Sequence, residues 1–286
     1  MNYLISYATG QFLKSQKQLE KSAYRFNIDK VINYSDNNIK GTQFYIENQH
    51  ILDQKRGSGY WLWKPYLILE TLKKIQDNDY LIYSDAGIEI IEPLDILFKL
   101  CEENKGILLF DNSNLKNSEW TKRDCFILMG LDSPEYANGE QITASFICLK
   151  KNEFILSLVQ EWLNFCCNPN ILTDIPNTCE EKNYSGFRSH RHDQSVLSLL
   201  AIKYKIELYR DPSRWGNSRK LPRFRKFFEF IPENKYLNNN LKLNSPYGTL
   251  INHHRNLSYD FPKIRFKTLF MYLNRNKSTF TDYFKY

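Results

Sequence analysis

Asp79-Tyr80-Leu81-Ile82-Tyr83-Ser84-Asp85-Ala86-Gly87 is the stretch that decides the fold class. Leu81-Ile82 is a short apolar run that reads as a buried strand, and Ala86-Gly87 supply the small residues of a turn. Asp85 emerges where the strand ends. In an open α/β sheet that edge is where ligands collect. Carboxylate oxygens there suit Mg2+ or Mn2+, and Mg2+ commonly takes one or two protein carboxylates together with substrate phosphate. The bland alternative is a strand-ending Asp that caps its own turn.

On either side of this stretch the chain alternates strand and helix. Tyr3-Leu4-Ile5-Ser6-Tyr7 reads as a buried strand, Phe12 to Phe26 as a helix, and Lys30-Val31-Ile32-Asn33-Tyr34 as a second strand. This βαβ punctuation predicts a mainly parallel central sheet flanked by helices. Residues 36–56 are polar and read as irregular. Trp61 to Ile75 is a helix with Pro65 in its first turn, where a missing N–H is tolerated. Leu94 to Cys101 (helix), Gly106 to Phe110 (strand) and Gln141 to Leu149 (strand) continue the pattern. Asn152 to Cys166 follows as an amphipathic helix, with Phe154, Leu158, Trp162 and Phe165 at helical spacing. His192 to Ile202 begins another helix. From Glu229 the composition turns Asn-, Tyr- and Lys-rich and the regular pattern fades.

The composition narrows the function classes. Across 286 residues, 42% are hydrophobic and 25% charged, which is too apolar for a disordered chain. The 39 Lys and Arg against 32 Asp and Glu leave a formal charge of +7, a modest excess for a nucleic-acid binder of this length. No run approaches 18 apolar residues, so no spanning helix is expected. Met1 to Tyr7 lacks a charged region followed by an apolar one, so no secretory leader is expected either. The six cysteines (101, 125, 148, 166, 167, 179) show no CxxC spacing and read as free, mostly buried thiols of a reducing cytoplasm.

Three further constellations carry chemistry. Arg56-Gly57-Ser58-Gly59-Tyr60-Trp61-Leu62-Trp63-Lys64-Pro65 puts two glycines and two cations before a helix start, a natural place for an anion. It is neither a P-loop nor a dinucleotide fingerprint, and at least one Trp reads as core. Ser189-His190-Arg191-His192-Asp193-Gln194-Ser195 sets a carboxylate and an amide side by side at a helix start, where a ligand or a plain cap would use them. His190 and His192 have no companion HxH or HExxH, so a zinc enzyme is not expected. Asn252-His253-His254-Arg255 offers an imidazole for a divalent metal and an Arg for a phosphate, or simply a polar surface loop.

Taken in order, these pieces resemble glycosyltransferases of the GT-A fold. The resemblance is to bacterial and viral polysaccharide-type enzymes, distantly like the glycogenin and lipooligosaccharide galactosyltransferase groups. It is carried by Leu4 to Tyr7, Gly59 to Pro65, Leu81 to Gly87, Ala144 to Ile147, His192 to Ser195 and His253 to Arg255, and it spans residues 1–256. The resemblance implies a metal-assisted transfer of a sugar from a nucleotide diphosphate, most often a UDP-sugar, to a glycan or lipid-linked acceptor. It implies that Asp85, with His253 or His254, holds Mn2+ or Mg2+. Tyr83 stands where the family's DXD motif has its first acid, a departure that weakens the expectation of tight metal dependence. By the same resemblance Tyr7 and Thr9 sit at the nucleotide base, and Asp193 and Gln194 beside the transferred sugar and acceptor, which favours retention over inversion. Arg56, Lys64, Tyr83, Ser84 and Arg255 complete the expected donor site.

Two rival readings remain. Arg210, Arg214, Arg219, Lys220, Arg223, Arg225 and Lys226 alternate with Trp215, Phe224 and Phe227, so segment 210–227 could serve a nucleic-acid or a non-catalytic glycan-binding protein. As a rim for an anionic donor it serves the enzyme equally well, and no nucleic-acid partner is expected. The basic aromatic segment 257–286 reads as a final helix packed on the domain, or as a tail docking at the inner face of an anionic membrane.

Overall fold

The computed structural model describes residues 1–213, Gly216 and 243–254, apart from the side chains of Ser113 and Asn114. Arg255, most of segment 210–227 and all of 257–286 lie outside the described residues.

A six-stranded sheet forms the centre, in the order β2-β1-β3-β6-β5-β7. Its strands are β1 (Asn2–Tyr7), β2 (Lys30–Tyr34), β3 (Tyr80–Ser84), β5 (Ile107–Lys116), β6 (Glu140–Lys150) and β7 (Leu208–Tyr209). Strand β1 pairs in parallel with both β2 and β3, while β6 runs antiparallel to β3 and β5. Five strands therefore point one way and one against them, the mainly parallel α/β sheet that the βαβ pattern predicts. A second, two-stranded antiparallel sheet joins β4 (Ile88–Ile90) to β8 (Ile251–His253).

Alternation along β3 divides the core into two layers. Leu81 and Tyr83 face one layer, packed by the helices Trp63–Lys74, Glu153–Cys166 and Asp193–Lys203. Ile82 faces the other, filled by Leu19 and Ala23 of the helix Leu13–Arg25, by Leu97 and Cys101 of Asp95–Glu103, and by the small sheet. A strand buried on both faces needs a continuous apolar run, which is what Leu81-Ile82 supplies. Cys101, Cys125, Cys148 and Cys166 are buried free thiols, and Cys167 and Cys179 are half-buried free thiols. Among the described residues no helix is long and apolar enough to cross a membrane.

The structure corrects two readings. Residues 36–56 contain a helix, Gln43–Leu52, whose Thr42 hydroxyl accepts from the Tyr45 N–H at 3.1 Å. Only Asn48 and Ile51 of it are buried, so it carries little of the apolar periodicity that marks a helix. Strand β8 lies in the region where the pattern was expected to fade. It forms because β4 offers it a partner, with Ile88 opposite His253 and Ile90 opposite Ile251.

Candidate functional site

The chain reverses direction across the sheet at β1, with β2 on one flank and β3 on the other. The crevice beyond the carboxyl ends of β1 and β3 is therefore a topological switch point. Ile5 stands opposite Tyr83, so Tyr7 and Asp85, two residues further on, emerge together at that edge.

On the β1 side, the Tyr7 ring stacks on Trp63 with centroids 4.0 Å apart and planes at 24°. Such pairs contribute about 0.5–1.5 kcal/mol beyond their buried area. The Tyr7 hydroxyl donates to Asp36, and burial together with this carboxylate holds the phenol well above its usual range. Thr9 is half-buried and precedes a short 3-10 turn without capping it through its side chain.

On the β3 side, the Asp85 N–H donates to the Ser145 carbonyl at 2.8 Å, and Tyr83 Oη donates to Asp85 Oδ1 at 2.5 Å. The sequence reading sets Ser84 on the donor; the structure turns its side chain to the opposite face. There it is fully buried, and its hydroxyl donates to the Asp85 carbonyl at 3.2 Å. Strand alternation is the cause: neighbours of Tyr83 point away from the cleft that Tyr83 faces.

Lys64 also departs from its expected place. Its ammonium lies 2.7 Å from Asp193 Oδ2, donates to the Ala144 carbonyl at 3.1 Å and sits 5.1 Å from the Tyr83 ring centroid. Both side chains of the pair are only 4% exposed, so Lys64 is the counter-ion of Asp193 rather than a group free to reach phosphates. Burial pushes the Asp193 carboxyl up to about 6, against the pull of Lys64 and with the Asp85 charge adding to the rise. The Asp193 carbonyl accepts from Trp162 Nε1 at 2.9 Å, which pins the helix start. Gln194 points elsewhere: its amide donates to Gln141 Oε1 at 2.9 Å. Gln141 in turn donates to Asn117 and Thr121 at 2.8 and 3.0 Å.

Arg56 is engaged by neighbouring side chains. Its Nε is 3.2 Å from Asp174 and donates to His192 Nε2 at 3.0 Å. The segment after it winds in the left-handed sense, with positive φ at Gly57, Ser58, Gly59, Tyr60 and Trp61. Non-glycine residues held there cost on the order of 1–3 kcal/mol each, and such strain clusters at functional sites.

The chain at His254 lies against the turn that follows Asp85. The His254 N–H donates to the Gly87 carbonyl at 2.7 Å, so the end of β8 abuts the turn that follows Asp85. His254 is buried and His253 half-buried. A Cβ on Gly87 would lie 2.6 Å from the His254 carbonyl oxygen, which explains glycine at that position. Gly87→Ala is expected to lower stability by about 1–3 kcal/mol through this overlap, read as a drop in thermal midpoint.

Among the described residues no three His, Cys, Asp or Glu side chains gather to hold a metal ion. The set at this edge is the half-buried Asp85 carboxylate, with the His254 backbone beside its turn. That set fits a hard cation only when a diphosphate and water supply its remaining ligands.

The sequence matches no protein-family model, and no curated protein matches it. Solved structures do resemble the fold. Mouse xyloside xylosyltransferase 1 is similar over 91% of this chain and 99% of that one, at 10% identity and a TM-score of 0.46. GlyE of Streptococcus pneumoniae TIGR4, a glycosyltransferase, is similar over 100% of this chain and 64% of that one, at 14% identity and 0.42. A glycosyltransferase involved in glycosylation of the major capsid of PBCV-1 is similar over 57% and 65%, at 8% identity and 0.34. Likeness at this level is one of outline.

Asp36 and Trp63 stand at this edge through Tyr7, and Gln141 holds Gln194; the motif reading passes over all three. Asp36 was within reach of a simple rule, since it follows the carboxyl end of β2, the strand beside β1. Gln141 carried no such signal. The rival reading of segment 210–227 loses its first cation: Arg210 is buried and donates to the carbonyls of Ser245 and Tyr247, so it belongs to the interior.

Proposed function

We propose that the chain is a GT-A glycosyltransferase, moving a sugar from a nucleotide diphosphate to an acceptor hydroxyl. One observation carries this reading: Tyr83 links Asp85 to the buried Lys64–Asp193 pair, its hydroxyl on Asp85 Oδ1 at 2.5 Å and its ring 5.1 Å from the Lys64 ammonium. A leaving diphosphate develops negative charge while the anomeric carbon develops positive charge. A site for that reaction needs an anion-stabilising side and a carboxylate side.

Asp85, with His253 or His254, would hold Mn2+ or Mg2+ on the diphosphate; when bound, that ion supplies charge stabilisation to the leaving group. Tyr83 orients Asp85 through its hydroxyl. Asp193 faces the transferred sugar, as base toward the acceptor hydroxyl or, in the retaining reading we favour, as the group beside the anomeric carbon. Lys64 keeps Asp193 charged in a dry setting. Tyr7, Thr9 and Trp63 would form the nucleobase side, Gln194 the acceptor side, and Arg56 and Arg255 would serve the diphosphate. A UDP-sugar donor and a glycan or lipid-linked acceptor of polysaccharide biosynthesis are the favoured substrates, handled in the cytoplasm or at the inner face of a membrane.

The test is a thermal-shift screen of nucleotide diphosphate sugars with Mn2+ or Mg2+. A donor at about 100 times its Kd stabilises the native state by about 2.7 kcal/mol. The expected result is a shift from one nucleotide class that needs the divalent ion and is lost in Asp85→Ala. A flat response to every donor, with and without metal, sinks the proposal.

A further inference from the structure

The left-handed turn and His192 meet, and their meeting has a purpose that neither alone supplies. The Tyr60 and Trp61 rings lie 5.0 and 5.4 Å from the His192 imidazole, with Trp61 stacked at 22°. A Cβ on Gly57 would fall 2.4 Å from the Trp61 ring, so the turn closes tightly on its own indole. His192 has φ +56° and ψ −124°, outside the regions open to most side chains. Its two ring nitrogens are both engaged: Nδ1 lies 2.8 Å from the Leu172 carbonyl, and Nε2 accepts from Arg56 at 3.0 Å. That pattern requires the neutral imidazole with its proton on Nδ1. Burial supports it, pushing the imidazole down to about 3.

The sequence positions give this contact its consequence. Trp61 is three residues before Lys64, and His192 is the residue before Asp193. We propose that His192 is a positioning residue: by clasping the left-handed turn Gly57–Trp61 it holds the Lys64-bearing helix against the Asp193-bearing helix and so sets the distance between the two charges. Its importance to turnover rests on the reading of Asp193 as the group beside the reacting sugar. The strained backbone at both ends persists because the rings, the Leu172 carbonyl and Arg56 over-determine it. The Gly57 carbonyl of the turn accepts from Trp63 Nε1 at 3.0 Å, so donor affinity is read in the His192 variants, which leave that hydrogen bond in place.

The experiment uses the full chain with His192→Ala, His192→Asn and Gly57→Ala. Crystal structures read the Lys64–Asp193 separation, and steady-state kinetics with the identified donor read kcat against KM. In His192→Ala the pair opens beyond ion-pair distance, and kcat falls about ten- to a hundredfold while donor KM stays within about twofold. His192→Asn keeps a donor for the Leu172 carbonyl but lacks the ring that packs on Tyr60 and Trp61, so it restores the separation and kcat only in part, between His192→Ala and wild type. Gly57→Ala displaces Trp61 without touching His192 and opens the pair as His192→Ala does; should His192→Ala fail to fold, it and His192→Asn carry the test. A pair that keeps its wild-type separation in His192→Ala or in Gly57→Ala overturns the proposal, as does a raised donor KM at unchanged kcat. If wild type acts on no donor, the glycosyltransferase reading fails by itself, and the separation in the variants still decides the clasp.

Discussion

Asp193→Asn abolishes sugar transfer, lowering kcat by about a thousandfold or more, and leaves donor binding within a few-fold of wild type. The substitution keeps the size of the side chain and removes the charge proposed to face the growing positive centre. Titration calorimetry with the donor separates the two effects, since the proposed nucleotide side at Tyr7, Trp63 and Asp85 is untouched. The wild-type pH profile should carry the same signature. Burial raises the Asp193 carboxyl to about 6, so the active, ionised form is lost as pH falls through that value and is restored as pH rises above it. The rate therefore climbs between about pH 5 and 7, and the residual rate of the Asn variant lacks that limb. An Asn variant that turns over near the wild-type rate removes Asp193 from the mechanism.

The second large effect concerns stability. Lys64→Met leaves Asp193 buried without its counter-ion, and breaking a buried pair of this kind costs about 3–5 kcal/mol. Its size depends on pH in a fixed direction. Without Lys64 the carboxyl of the folded protein rises further above its unfolded value, so the native state binds the proton more tightly. The stability associated with that proton is present at low pH and lost as pH rises through the folded value. The penalty of Lys64→Met is thus smallest near pH 5 and largest near pH 8. The double variant Lys64→Met, Asp193→Leu recovers most of the lost stability, since two apolar groups of similar volume need no solvation, yet it transfers no sugar. Denaturant unfolding of the wild type, the single and the double variant at both pH values measures this. A single variant as stable as wild type at pH 8 shows that the pair is not desolvated as the structure has it.

The two outcomes separate charge as chemistry from charge as structure. A pair kept only for stability would be improved by an apolar replacement without loss of function. A pair kept for chemistry is retained although its burial costs free energy, which is the pattern found where functional sites are built into a core.

Much of this fold was legible before any tertiary contact was known. The apolar run Leu81-Ile82 followed by Asp85-Ala86-Gly87 marked a buried strand and its turn, because a strand covered on both faces has no room for polar side chains. Phe154, Leu158 and Trp162 marked the helix Glu153–Cys166 by their spacing alone, and the Asn152 cap that accepts from the Ile155 N–H marked its start. The helix Gln43–Leu52 escaped because it rests lightly on the surface and leaves no apolar stripe. Local pattern records burial, and where little is buried it records little.

What the sequence alone determined is the alternation of strand and helix, the carboxyl edge on which Asp85 stands, and the residues able to do chemistry there. Which of them meet was decided by the folded chain. Lys64 finds Asp193 instead of phosphate, Ser84 turns inward, Arg56 grips His192, and β8 brings the late histidines to Gly87. Each of these pairings joins segments far apart along the chain or depends on which face of a strand a side chain takes. Such contacts are fixed by the packing of layers against the sheet, for which residue type and spacing hold no local record.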